Sequence, residues 1–107
     1  MVEVETRLQV SQAQIAEFCQ RWDVVELWLF GSALRDDFRP ESDVDLLFRF
    51  APGVRRGLLA LAQMREELKE LFDREIDLVS RNAIEKSRNW IRKENILSTA
   101  QVIYAAR

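Results

Sequence analysis

The chain has 107 residues, 48% apolar and 32% charged, with a formal charge of −2 and no histidine. That size and balance suit one compact domain over residues 1–107, and with no run near the ~20 apolar residues of a membrane span, a soluble, cytoplasmic protein is expected. The missing histidine excludes Ser-His-Asp and Cys-His nucleophiles, imidazole bases and the usual zinc sites, so any chemistry falls to carboxylates, Arg, Lys, hydroxyls and oxygen-preferring metals.

In chain order, residues 1–10 alternate apolar and polar, which suits a short edge strand or a loose terminus, and they lack the basic-then-apolar order of a signal peptide. Ser11 with Gln14 three residues on resembles a capping box. Ile15, Phe18, Cys19 and Trp22 then recur at i, i+3, i+4, i+7, which predicts an amphipathic helix over 11–21. Cys19 falls on its apolar stripe, where a buried, inert thiol is expected. Residues 24–30 are rich in β-branched and aromatic side chains and read as a central strand. Gly31-Ser32 ends it. Ser32 can cap a helical turn through Arg35, and Pro40-Glu41-Ser42 is a turn ahead of a second strand over 43–50.

Ala51-Pro52-Gly53 stops that strand, and Leu58, Leu61, Met64, Leu68, Leu71 and Phe72 mark one face of a second helix over 57–72. Its other face, with Arg65, Glu66, Lys69 and Glu70, reads as solvated. A third strand is expected over 75–79, a third helix over 82–93 beginning at Asn82, and a last short strand or helical turn over 100–104. The order α-β-(turn)-β-α-β-α predicts an α/β (α+β) fold, a small mixed sheet with helices packed on one face.

The second strand carries the unusual chemistry. Alternation turns Asp43, Asp45, Leu47 and Arg49 one way and Val44, Leu46, Phe48 and Phe50 the other. In the third strand Ile76 and Leu78 belong with the core, so Asp77 faces the same side as the Asp pair if the two strands are neighbours in register. Three carboxylates then converge, and unit charges ~4 Å apart repel by roughly 4 kcal/mol at an effective dielectric near 20 unless a cation neutralises them. An all-carboxylate set fits Mg²⁺ or Mn²⁺ and argues against zinc. Ahead of the pair, Gly31 lets a phosphate approach the backbone, Ser32 adds N–H and hydroxyl donors at a helix start, and Arg35 reaches the same anion. A phosphate cradle beside a metal site is what nucleotidyl transfer requires, with Asp43 and Asp45 as ligands and Asp77 assisting the metal or taking a proton.

Gly31-Ser32-Ala33-Leu34-Arg35 followed by Ser42-Asp43-Val44-Asp45-Leu46 resembles the G-S-x-x-R…(S)-D-x-D signature of the DNA polymerase beta-like nucleotidyltransferases, and the length is similar to the minimal nucleotidyltransferase (MNT) branch. The resemblance implies nucleotide contacts from Gly31, Ser32, Arg35 and Ser42, and a catalytic, metal-binding triad of Asp43, Asp45 and Asp77. It departs from the family at Asp36, where relatives often carry glycine, and Asp37 adds a second negative charge near the triphosphate. It further implies an antitoxin that partners a HEPN-domain RNase toxin and transfers AMP from ATP to a toxin tyrosine. The alternatives are a non-catalytic module that neutralises its HEPN partner by binding, and a transferase acting on a small molecule such as an aminoglycoside.

Two surfaces are open to partners. Trp90, Ile91, Ile96, Leu97 and Tyr104 exceed one helical stripe and either anchor a partner or close the core. Lys86, Arg88, Arg92 and Lys93, interspersed with Glu85 and Glu94, read as a solvated face, and no direct nucleic-acid contact is expected.

Overall fold

The computed structural model describes residues 10–31 and 43–106. Ser11 and Gln14 start the first helix as their spacing predicts: the Ser11 hydroxyl accepts the Gln14 N–H at 3.1 Å, and the Gln14 carboxamide accepts the Ser11 N–H at 3.0 Å. Helix α1 runs Gln12–Arg21 and turns through Asp23, in the left-handed region at φ 59°, into strand β1, Val24–Phe30. Strand β2 is Val44–Phe50, and helix α2, Leu58–Phe72, ends on Asp73 at φ 54°. Strand β3, Ile76–Ser80, follows.

Beyond β3 the structure corrects the expected single helix over 82–93. Helix α3, Arg81–Glu85, is capped by Ser80 rather than Asn82, and its end is closed by the Lys86 N–H on the Asn82 and Ile84 carbonyls. Asn89 then caps a separate helix, α4, Trp90–Thr99, through its side-chain oxygen on the Arg92 N–H at 3.2 Å. Two cap residues nine apart in sequence break what apolar periodicity alone joins. Strand β4, Gln101–Ala105, resolves the last segment as strand.

The sheet order is β3-β2-β1-β4, with β1 antiparallel to both β2 and β4, and β2 parallel to β3. It is the mixed sheet expected, but helices cover both faces rather than one. On the first face Leu27, Leu29, Val44, Leu46 and Ile76 pack with Ile15 and Phe18 of α1 and Met64 and Leu68 of α2. On the second, Trp28, Phe30 and Leu47 pack with Ile84 of α3 and Ile96 of α4. At about 2 kcal/mol per buried large apolar side chain, this second cluster contributes on the order of 10 kcal/mol gross, as much as a small domain's whole net stability. The α3 and α4 layer is therefore integral to the fold. No helix among the described residues is long and apolar enough to cross a membrane.

Candidate active site

Gly31 ends β1 with φ +73°, a conformation that glycine adopts without strain. A Cβ at this position would lie 2.2 Å from Oδ2 of Asp45 and 3.1 Å from its Cγ. The Asp45 carboxylate therefore rests directly against the bare glycine, which is required twice over, for its backbone angle and for the close approach. Antiparallel pairing explains the contact, since Asp45 is the register partner of Phe30.

Across β2, in the parallel pair, Asp45 is the register partner of Asp77. Register partners in neighbouring strands share a face, so the two carboxylates stand side by side on the second face, at the edge of the Trp28, Phe30 and Leu47 cluster. Asp43 lies one residue ahead of β2, and the adjoining Val44 N–H donates to the Glu75 carbonyl at 2.9 Å, tying the starts of β2 and β3 together. Asp77 is exposed, so at a spacing of about 5 Å its repulsion with Asp45 is nearer 1 kcal/mol in a solvated site than the larger buried-site figure. Among the described residues no three His, Cys, Asp or Glu side chains are arranged to hold a metal ion as a group. The structure brings together Gly31, Asp45 and Asp77, with Asp43 at the strand start. Ser32, Arg35, Asp36, Asp37 and Ser42 lie outside the described residues.

Residues 12–103 match the model of the nucleotidyltransferase domain family. The chain belongs to that family. Within it, the protein adenylyltransferase MntA of Thermococcus cleftensis is 30% identical over 84 residues, 78% of this chain and 83% of that protein. A chain solved as a minimal nucleotidyltransferase superposes with a TM-score of 0.67 at 30% identity, covering 94% of this chain and 95% of that one. A solved complex of a tri-AMPylated Shewanella oneidensis HEPN toxin with MNT antitoxin superposes with a TM-score of 0.60 at 14% identity, covering 89% of this chain and 70% of the matched one, a likeness of fold alone.

One residue whose sequence pattern reads as solvated contacts the strand that carries Asp77. Arg65 of α2 donates from Nε to the Ile76 carbonyl at 2.9 Å and stands 3.6 Å from Glu75. That carbonyl belongs to the peptide joining Ile76 to Asp77, so Arg65 ties α2 to the start of β3 beside Asp77. An arginine on a helix's polar face gives no sign of this in sequence; only the tertiary approach of α2 to β3 does. Cys19 is buried, and burial pushes its thiol up to about 12, as an inert core residue requires.

The donor set also bears on which ion could bind. The expected donors Asp43, Asp45 and Asp77 do not form a three-residue cluster among the described residues, and they are carboxylates in a chain without histidine and whose one cysteine is buried in the first core cluster. Such donors suit Mg²⁺ or Mn²⁺.

Proposed function

We propose that the protein is the enzymatic antitoxin of a HEPN/MNT pair, a Mg²⁺-dependent adenylyltransferase that moves AMP from ATP to a tyrosine hydroxyl of a HEPN-family toxin. One observation carries the reading: the Asp45 carboxylate lies against Gly31, and Asp45 pairs in register with Asp77, so two carboxylates meet beside the glycine that ends β1. The relative MntA is named a protein adenylyltransferase, and the structural neighbour is an AMPylated HEPN toxin with MNT antitoxin, which supports the substrate class and the partner.

In the proposed reaction Gly31 admits the Asp45 carboxylate beside the turn that ends β1, and Ser32, Arg35 and Ser42 supply donors to the phosphate oxygens. Asp43, Asp45 and Asp77 would hold the divalent ion, which when bound offsets their charge and that of the triphosphate. The tyrosine oxygen attacks the α-phosphorus, the bond to the bridging oxygen breaks, and pyrophosphate leaves. Asp77, exposed at the rim, takes the phenolic proton. A module that neutralises by binding alone would have no use for two carboxylates in register, and the named relative favours catalysis.

Incubation with labelled ATP, Mg²⁺ and the cognate HEPN protein tests this reading. The wild-type chain is expected to label the toxin, and the Asp43→Asn, Asp45→Asn double variant to do so at least ~10³-fold more slowly. Equal labelling by both would overturn the assignment.

A further inference from the structure

Helix α4 has two apolar aspects, and the fold uses one of them. Ile96 is 7% exposed and packs in the second core cluster with Leu97 against it, whereas Trp90 and Ile91 are 67% and 57% exposed at the other end of the helix. The expected apolar excess at the C-terminus therefore divides: Ile96, Leu97 and Tyr104 close the core, and the adjacent Trp90 and Ile91 are left to solvent.

Their surroundings are cationic. Lys86, Arg88 and Arg92 are exposed, and among the described residues none of the three side chains makes an ion pair. The nearby Glu85 does not offset them, because its carboxylate is taken up by Arg49 at 2.9 Å and by Arg81 at 3.3 Å. Glu94 is the other acidic residue of the segment. Trp and Arg are the residue types that most often anchor protein interfaces, and here both stand on one short stretch of surface. The position also matters. Helix α4 packs through Ile96 on Trp28 and Phe30, the same sheet face that carries Asp45 and Asp77, so a protein seated on α4 lies on the side of the sheet where the carboxylates stand.

We infer that the surface spanning residues 86–92 is the docking site for the AMP-accepting protein, which meets it with an apolar cleft, rimmed by Asp and Glu, that receives Trp90 and Ile91. This rests on the proposed adenylyltransferase reading and adds where the acceptor is held. Charge complementarity sets the rim, and the exposed apolar pair sets the centre. An RNA would satisfy the three cations but offers no counterpart to Ile91, and the chain's net charge of −2 opposes a polyanion.

The test measures toxin binding and AMP transfer separately, with the full chain and the cognate HEPN protein. Calorimetry without nucleotide gives Kd for the wild type, for Trp90→Ser with Ile91→Ser, and for Arg88→Glu with Arg92→Glu. Both variants are expected to weaken toxin binding at least ~10-fold and to raise KM for the toxin, with kcat at saturating toxin and ATP affinity retained. The charge variant acts independently of any effect of the apolar pair on folding. Toxin affinity unchanged in both variants would overturn the docking site and leave the adenylyltransferase reading intact. A wild-type chain that neither binds nor labels the toxin would remove both. A fluorescent single-stranded RNA bound by the wild type and released by the variants, with toxin affinity constant, would also overturn the docking site.

Discussion

The second face of β2 presents two charged pairs, and they differ in sign. At one end Arg49 is the register partner of Glu26 and also binds Glu85 at 2.9 Å, so opposite charges meet across the strands. At the other end of the same face Asp45 is the register partner of Asp77, and like charges meet. Opposite charges directly across a sheet stabilise it by roughly 0.2–1 kcal/mol, and like charges destabilise it by a similar amount. Folding alone selects the first arrangement. The second gives the strands no such gain, and in the proposed reaction it would serve to hold a divalent cation.

Substitutions at the two ends should therefore have opposite consequences. The largest effect is expected from Asp77→Asn: AMP transfer should fall by roughly 10²–10³-fold, while relief of repulsion leaves thermal unfolding unchanged or raises it slightly. A lowered melting temperature with normal transfer would reverse the comparison. Next is Gly31→Ala, which places a Cβ 2.2 Å from Oδ2 of Asp45 and strains a φ of +73°. It should cost about 1–2 kcal/mol in denaturant unfolding and reduce transfer at least ~10-fold, because the carboxylate must move.

At the cationic end Glu85→Gln is expected to lower stability by up to about 1 kcal/mol, since the pair with Arg49 is partly solvent-screened, with kcat unaffected. The smallest effect belongs to Cys19, remote from both ends in the first core cluster. Its thiol is raised in the fold from 9.0 to about 12, so the neutral form is favoured by folding. The stability it contributes is complete below pH 9 and is lost progressively as pH rises toward 12. Native protein should accordingly resist thiol labelling at neutral pH, and a Cys19→Ala variant should show a shallower alkaline loss of stability.

Much of this was legible from local pattern. The Ser11 and Gln14 box, the apolar run of β1 and the parity of Asp45 with Arg49 all depend on neighbours within a few residues and hold in the fold, as does the period of α2 from Leu61 to Phe72, whereas Leu58 at its start is 85% exposed. The single long helix over 82–93 did not hold, because Ser80 and Asn89 cap separate helices whose apolar residues happen to continue one period. The one-sided sheet failed for a related reason. Alternation places Leu47 on the same face as the aspartates, opposite the Val44 and Leu46 core face, but α3 and α4 fold back over it.

Residue type and spacing alone determined the strand carrying the acid pair, the glycine ahead of it and the exclusion of histidine chemistry, because backbone alternation and donor hardness are local properties. Only the tertiary structure decided that β2 and β3 run parallel with Asp45 opposite Asp77, that Arg65 reaches the Ile76 carbonyl, and that Trp90 and Ile91 stay outside the core. Register, helix docking and burial are set by contacts between segments far apart in the chain, where no local pattern carries the information.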